Sequence, residues 1–366
     1  MNAFFIHTPF QLFVAQNIIF EKKLEGNILF IGYNNNNIID KLLINALNDI
    51  WSDIITIGDV NQYNMNIYTN IVSYKKNIKK IFSVIEKNIS NSYNLYFGDC
   101  NCILYILLSY KFSINRNIYF FEEGLGHYCK NIINIRGIKK YIYNIWGKII
   151  DLYIYYPLIH RSFKRFFIRD REIDLSNITK RYSLLDYYNT PKDELIHINS
   201  NLLHIYQEKI KTDLNQINGT INGRYTILLA LQPKDFEDIF TKKIDSDQYI
   251  INYLNMYRQN NPLIIIKKHH RNSQSEISYY ENLLSKNNFD FINLNKGDDF
   301  PLEVLIPVLK IKQVISFYSS VNIYVSKLYN NIISHMLIFD IYNDYNDAID
   351  KDIINQYINF NKNIVN

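Results

Sequence analysis

The chain has 366 residues and a net charge of +5. Of its residues 48% are hydrophobic and 20% are charged, and this composition excludes a disordered protein. Because this length exceeds one ordinary hydrophobic core, we expect two domains of roughly 150 to 200 residues each. No apolar run reaches about 18 residues, and Met1–His7 lacks the basic and long apolar regions of a signal peptide, so a cytoplasmic location is expected.

Strands and helices alternate through the first half of the chain. The strand at residues 2–7 is broken by Pro9, which suits the first turn of a helix to about Glu21, and a second strand follows at 27–33. This β-α-β opening predicts parallel strands, and its continuation predicts a doubly wound α/β domain. Later strands of this half are expected at 54–57, 93–97 and 117–121, with helices at 75–87 and 102–110 between them.

The end of the first predicted strand carries His7 and Thr8. Ligands of open α/β sheets bind beyond the carboxyl ends of the strands, so these two side chains lie where a ligand would be met. A purely structural interpretation stays open, with Thr8 as a helix N-cap and His7 as a packed loop residue.

The aromatic strand at 117–121 runs directly into Glu122, Glu123 and Gly124. Since side chains alternate across a strand, the two carboxylates face different ways and only one of them can enter a given cleft. A glutamate at the end of a buried strand, beside a glycine turn, suits a general base. The alternative is that one glutamate caps the following turn and the other is solvated.

Cations and aromatic residues are concentrated between Arg136 and Arg171. This stretch has nine Lys or Arg against two Asp, mixed with tyrosines and Trp146, and includes a predicted strand at 165–169. The mixture suits contact with an anionic membrane surface, or else a solvated face packed by aromatic side chains. Nucleic-acid binding is disfavoured because no recognition motif accompanies the charges.

A polar helical pattern from Asp186 to about Leu214 marks the crossover between domains. We predict a first domain at 1–190, a linker at 191–222 and a second domain at 223–366. Strands of the second domain are expected at 225–232, 263–267, 289–294, 314–317 and 332–340, with a helical tail from residue 345.

The apolar strand Leu263–Ile266 ends in Lys267-Lys268-His269-His270-Arg271. Four branched residues in a row are typical of a strand buried on both faces. The cationic cluster at its carboxyl end suits an anionic ligand such as a phosphate, and a histidine there can transfer a proton near neutral pH. A solvated strand end is the alternative.

Two serines, Ser319 and Ser320, follow a later strand where a helix begins. Hydroxyls and helix N-terminal amides at such a junction can bind a phosphate, or they can serve as plain N-caps. Asp245-Ser246-Asp247 has the form of a metal clip, but it lies in a polar helical stretch and is interpreted as helix surface or cap. Cys100, Cys102 and Cys129 have neither disulfide nor zinc spacing, so no metal is predicted.

Four short motifs stand in order along the chain: Glu122-Glu123-Gly124, Lys267-x-His269, Pro301-Leu302-Glu303 and Ser319-Ser320. Together they resemble the motifs of bacterial sialyltransferases, especially the lipooligosaccharide type of glycosyltransferase family 52, with the polysialyltransferases as close relatives. The resemblance implies a GT-B fold, in which two Rossmann-like domains with parallel sheets face a central cleft. One departure is His270, which stands where the family has a proline. The opening His7-Thr8-Pro9-Phe10-Gln11-Leu12 also resembles the start of that group.

Carried over to this chain, the resemblance implies a role for each motif residue. Glu122 or Glu123, with the first favoured, would deprotonate the acceptor hydroxyl. His269 beside Lys267 would face the leaving CMP phosphate as an acid or electrostatic stabiliser. The remaining motif residues would bind substrate: Glu303 the ribose hydroxyls, Ser319 and Ser320 the phosphate, and His7, Thr8, Gln11 and Gly124 other parts of the substrates.

The resemblance also implies substrates and surroundings. The donor would be CMP-sialic acid, the acceptor a lipooligosaccharide or capsule glycan, and no metal or other cofactor would be needed. The protein would lie on the cytoplasmic side of the inner membrane, held by residues 136–171, and a homodimer is left open. Two alternatives remain: a transferase of the same family with another nucleotide sugar, which His270 favours, or a catalytically silent protein that binds glycans or membrane surfaces.

Overall fold

The computed structural model of the chain forms two compact units, Met1–Leu202 and Leu203–Asn366. Each unit is built on its own parallel sheet. The structure describes residues 1–32, 48–58, 71–89, 93–98, 103–112, 116–122, 179–184, 192–214, 219–232, 244–268, 272–294, 301–317 and 319–344.

The sheet of the first unit consists of β1 Asn2–Ile6, β2 Asn27–Ile31, β3 Trp51–Thr56, β4 Asn94–Phe97, β5 Ile118–Phe121, β6 Lys180–Ser183 and β7 Asp193–Leu195. Its described strands pair in the order β3-β2-β1-β4-β5-β6-β7. The chain thus moves outward from β1 to β3 and then returns to the other side of β1, which puts the topological switch point between β1 and β4. The helices of this unit are α1 Pro9–Lys22, α2 Ile71–Asn88 and α3 Ile103–Phe112, and α4 Ser200–Asp213 spans the boundary between the units.

Aromatic side chains fill both faces of the first sheet. On one face Phe5 stacks between Phe30 and Phe97, with ring centroids 4.7 and 4.8 Å apart. On the other face Phe4 stacks on Tyr96 with centroids 4.3 Å apart. Neighbouring residues of β1 serve opposite faces because side chains alternate along a strand. Burial on both faces is what a parallel sheet requires, and it explains the continuous apolar runs in the sequence.

Four asparagines form a ladder across the amino ends of the central strands. Asn2 donates a hydrogen bond from Nδ2 to Oδ1 of Asn27 at 3.0 Å and accepts one from Nδ2 of Asn94 at 3.1 Å. Asn117 donates to Oδ1 of Asn94 at 3.0 Å. The ladder follows the strand order β2-β1-β4-β5 and therefore fixes the register of these strands at one edge.

The sheet of the second unit consists of β8 Thr226–Ala230, β9 Leu263–Lys267, β10 Asp290–Asn293, β11 Gln313–Ser316 and β12 Ile333–Met336. Its described strands pair in the order β10-β9-β8-β11-β12, all parallel, so the switch point lies between β8 and β11. The helices are α5 Ser246–Met256, α6 Gln274–Lys286, α7 Leu302–Val308, α8 Ser320–Leu328 and α9 Leu337–Asp344. The predicted α/β class with two Rossmann-like parallel sheets is therefore confirmed.

The strand predicted at 332–340 is wrong in its second half. β12 ends at Met336 and the chain turns directly into α9, which buries Leu337, Ile338 and Ile341. This spacing of one and four residues is helical, but a short apolar run does not by itself distinguish a strand from a helix.

The stretch predicted as a linker at 191–222 contains regular structure. Asp193–Leu195 pairs with β6 as the last described strand of the first sheet, and of the stretch predicted as helical from Asp186 the described part is helical from Ser200. Oδ1 of Asn199 accepts hydrogen bonds from the backbone N–H groups of Asn201 and Leu202 at 2.9 and 3.1 Å, which caps α4. The predicted strand at 165–169 and the tail from 345 lie outside the described residues.

Candidate active site

At the carboxyl edge of the first sheet, three neighbouring strands end. Each of them ends at a site residue predicted from the sequence or next to one. β1 is followed by His7, β4 by Gly98, and β5 by Glu122. Neighbouring strands lie about 4.8 Å apart, so these three positions share one short edge. This edge includes the switch point between β1 and β4, where open α/β sheets bind ligands.

His7 and Thr8 have structural roles at this edge. Thr8 is the N-cap of α1, and its Oγ1 accepts a hydrogen bond from the N–H of Gln11 at 3.2 Å. His7 is buried, with Nδ1 3.3 Å from the hydroxyl oxygen of the fully buried Tyr105. The structural alternative foreseen for both residues is therefore present, and the position at a strand end is also as predicted.

Gln11 packs against the end of β4. Its Oε1 accepts a hydrogen bond from the N–H of His7 at 2.7 Å, and the whole side chain is buried. A Cβ atom added to Gly98 would lie 2.8 Å from Cδ and 2.9 Å from Oε1 of Gln11. Because real Cβ atoms do not approach so closely, only a glycine at position 98 admits the carboxamide in this place.

Glu122 is fully buried immediately after β5. Carboxylates are almost never fully buried unless they are paired or serve a function, so the solvated alternative does not hold for this residue. Glu123 and Gly124 lie outside the described residues, and the choice of base between Glu122 and Glu123 stays a prediction.

Lys267 is the last residue of β9 and is only 8% exposed. It pairs in register with Ala230 of β8, and its carbonyl accepts a hydrogen bond from the N–H of Leu231 at 2.9 Å. The solvated strand end considered from the sequence is therefore wrong for Lys267. His269, His270 and Arg271 lie outside the described residues.

Glu303 lies in the first turn of α7 and is 5% exposed. Burial raises the pKa of its carboxyl group to about 7, because a charged carboxylate loses its hydration there. The hydroxyl of Tyr329 donates a hydrogen bond to the Glu303 carbonyl at 2.8 Å, and burial raises the pKa of that hydroxyl as well. A carboxyl that titrates near neutral pH in a buried place is a functional-site candidate.

Ser319 and Ser320 lie where β11 gives way to α8. Ser319 is the N-cap, with Oγ accepting a hydrogen bond from the N–H of Val321 at 3.3 Å, and Ser320 is the first helical residue. Both serines are half-buried beside the switch point of the second sheet. The predicted N-cap is thus present, at a position that also suits phosphate binding.

Asn322 fastens the start of α8 to two strands. Its Oδ1 accepts a hydrogen bond from the hydroxyl of Ser316 at 2.5 Å, and its Nδ2 donates to the carbonyls of Val314 and His335 at 3.3 and 2.9 Å. These bonds join α8 to β11 and β12 and fix where the serines lie.

The described residues contain no group of three or more His, Cys, Asp or Glu side chains that could hold a metal ion. Asp245 is the N-cap of α5, with its carboxylate accepting a hydrogen bond from the N–H of Gln248 at 3.4 Å, and the hydroxyl of Tyr279 donates to Asp247. The predicted helix cap is confirmed. Of the helices that the structure describes, none has the length and apolarity to span a membrane, and residues 136–171 lie outside them.

Three residues of these edges were not singled out from the sequence: Gly98, Tyr105 and Asn322. A buried asparagine among the apolar residues of α8 was a usable signal, since a polar residue at a core position needs partners. The roles of Gly98 and Tyr105 depend on which residues the fold brings beside them, and neither has a local pattern.

Two Rossmann-like units, with charged, titratable and hydroxyl side chains at the carboxyl edges of their sheets, define a protein of the GT-B-like class. The family model described as Alpha-2,8-polysialyltransferase (POLYST) matches residues 2–337, and the chain belongs to this family. It is therefore a glycosyltransferase, and the resemblance to bacterial sialyltransferases and their polysialyltransferase relatives is confirmed.

Solved structures with a similar fold are distant in sequence. The UDP-GlcNAc 2-epimerase of Methanocaldococcus jannaschii in complex with UDP-GlcNAc and UDP is 14% identical, over 88% of this chain and 80% of its own, with a TM-score of 0.49. MnaA of S. aureus with UDP is 10% identical, over 88% and 75%, with a TM-score of 0.49. The N-terminal domain of Candida albicans trehalose-6-phosphate phosphatase is 11% identical, over 99% and 94%, with a TM-score of 0.44. No curated protein sequence matches the chain.

Proposed function

We propose that this protein transfers sialic acid from CMP-sialic acid to a hydroxyl group of a cell-surface glycan. The observation that carries the proposal is the family match over residues 2–337. The family's printed name, an alpha-2,8-polysialyltransferase, favours an acceptor that itself ends in sialic acid. The buried Glu122 and Lys267, each directly at the carboxyl end of a parallel strand, supply the two kinds of group that such a transfer needs.

The proposed reaction is a single inverting displacement. The acceptor oxygen forms a bond to the anomeric carbon while the bond from that carbon to the CMP phosphate breaks, through an oxocarbenium-like transition state. Glu122 or Glu123 takes the proton of the acceptor hydroxyl, and the phosphate leaves with the bonding electrons. Glu122 is favoured because its burial in the structure suits a base held in one geometry.

The leaving nucleotide needs positive charge and hydrogen-bond donors. Lys267 and His269 neutralise the phosphate, and the hydroxyl of Ser320 with the first N–H groups of α8 bind its oxygens. Glu303 accepts hydrogen bonds from the ribose hydroxyls. Because side chains can neutralise a nucleoside monophosphate, we propose that transfer requires no metal.

We propose that the enzyme works at the cytoplasmic face of the inner membrane, where residues 136–171 bind anionic lipid. The excess of lysine, arginine and aromatic residues in this stretch supports the proposal. Lipooligosaccharide and capsule are the two acceptor classes considered.

A donor panel tests the proposal. Purified protein is incubated with a sialylated oligosaccharide and one donor at a time, either CMP-sialic acid or one of several UDP-sugars. Release of the nucleotide is measured in each reaction. We expect CMP release alone. Release of UDP would favour the alternative donor suggested by His270, and no release from any donor, with intact glycan binding, would favour a binding protein.

A further inference from the structure

Gln11 has a buried hydrogen-bond donor at the carboxyl edge of the first sheet. Its Oε1 is held by the N–H of His7, whereas its Nε2 is buried and has no hydrogen-bond partner among the described residues. Leaving a buried amide N–H unpaired costs about 1–3 kcal/mol, so such a group in a native structure calls for an explanation.

The formation of α1 does not explain this side chain. Thr8 already caps the helix, and Gln11 contributes to that cap only through its backbone N–H. Gly98 has no side chain that would collide with the carboxamide of Gln11, so Gln11 can pack against the end of β4. The amide group is thus accommodated where a smaller apolar residue would avoid the unpaired donor.

The position of Gln11 points to a substrate. The switch point lies between β1 and β4, and β5 pairs with β4 on the side away from β1. The residue directly after β5 is Glu122. Helix α1 contacts both β1 and β5, so the same helix carries Gln11 and packs beside the strand of the proposed base.

We propose that Gln11 donates a hydrogen bond from Nε2 to an oxygen of the acceptor glycan and so orients the acceptor hydroxyl toward Glu122. The inference rests on the proposed function, in which Glu122 serves the acceptor. A neutral amide donor suits a hydroxyl or a carboxylate oxygen of the terminal sugar, and a single such bond discriminates acceptors without holding them permanently.

The test is Gln11→Glu, which keeps an oxygen for the N–H of His7 and replaces the Nε2 donor by a second oxygen. We expect the KM for a sialylated acceptor to rise roughly tenfold, as the loss of one hydrogen bond and a new repulsion would cause, while the KM for CMP-sialic acid stays unchanged. Gln16→Glu is the matched control, because Gln16 is a buried glutamine of the same helix away from the strand ends. It should not alter the acceptor KM.

A second variant, Gln11→Met, removes the donor without adding charge, and its acceptor KM should also rise. An acceptor whose terminal carboxylate has been reduced to an alcohol identifies the contacted group: the Gln11→Glu effect disappears with it if the contact is to the carboxylate and persists if it is to a hydroxyl. An unchanged acceptor KM in folded Gln11→Glu and Gln11→Met would overturn the inference while wild-type transfer upholds the proposed function. If the wild type shows no transfer, calorimetry measures the affinity of wild type and variants for the sialylated oligosaccharide. Equal affinities would overturn the inference that Gln11 contacts the acceptor.

Discussion

Glu303 combines a buried position with an acidic side chain, and its titration affects folding. The carboxyl has an ordinary pKa of 4.5 and a pKa of about 7 in the folded protein, because burial disfavours the charged form. Between these two values the unfolded chain has lost the proton that the folded chain retains. The stability of the fold therefore falls as pH rises from about 4.5 to 7 and levels off above that range.

Replacing Glu303 by Gln should remove this pH dependence. The variant should be more stable than the wild type at pH 8, by an amount on the order of 3 kcal/mol, and about equally stable at pH 4.5. Urea unfolding at the two pH values measures the difference. Glu208→Gln, at an exposed carboxylate of α4, is the control and should gain no comparable stability at pH 8. A wild type whose stability rises between pH 4.5 and 8, with no change in that slope on replacing Glu303, would contradict the assigned cause.

The proposed catalytic histidine gives a second prediction at the residue scale. His269→Ala should reduce transfer by roughly 10²- to 10⁴-fold, the range typical of a lost acid–base or electrostatic group, without lowering the melting temperature. His204→Ala on the exposed face of α4 is the control and should retain full activity. Wild-type turnover in His269→Ala would refute the role assigned to this histidine.

At the scale of elements, the asparagine ladder gives a graded prediction. Asn2 is buried and bonded to both neighbouring strands, whereas Asn117 is exposed at the end of the ladder. Asn2→Ala should cost about 2 kcal/mol of unfolding free energy, since Oδ1 of the buried Asn27 and Nδ2 of the half-buried Asn94 lose their hydrogen bonds to Asn2. Asn117→Ala should cost less than about 0.5 kcal/mol. Denaturant unfolding of both variants measures the costs, and a cost for Asn2→Ala no larger than that for Asn117→Ala would contradict the prediction.

Strands and helices were predicted best where a sequence pattern is compatible with only one kind of secondary structure. Branched and aromatic runs such as Leu263–Lys267 form strands as expected, because residues buried on both faces must be apolar. Asp193–Leu195 was missed because a short polar strand at a sheet edge has no apolar pattern. The second half of the run 332–340 was misassigned because its apolar residues suit a strand and a buried helix face equally well.

The candidate site was predictable only as far as its residues end a strand or begin a helix. Lys267, Glu122 and Ser319 were found in this way, since the carboxyl edge of a parallel sheet is defined by strand direction. The packing of Gln11 against Gly98 was not predictable, because it depends on two residues distant in sequence that the sheet order brings together.

At the scale of the whole molecule, the two units have distinct proposed tasks. The first carries the proposed base and the proposed acceptor contact at Gln11, and the second carries Lys267, Glu303 and Ser320, the groups proposed to bind the nucleotide. Each set lies at the carboxyl edge of its own parallel sheet. The residues of the first unit extend over the switch point between β1 and β4. In the second unit, Ser320 lies beside the switch point between β8 and β11. We therefore expect variants of the first set to alter the acceptor KM and variants of the second set to alter the donor KM.

The most direct measurement of the central claim is the mass of the acceptor after reaction. Purified protein is incubated with CMP-sialic acid, a sialylated oligosaccharide and excess EDTA, and mass spectrometry of the oligosaccharide is compared with the amount of CMP released. We expect the acceptor to gain whole sialic acid residues, one for each CMP released. An acceptor of unchanged mass in EDTA that gains sialic acid only when a divalent metal is restored would contradict the metal-independent mechanism, and an acceptor that never gains sialic acid would contradict the assigned function itself.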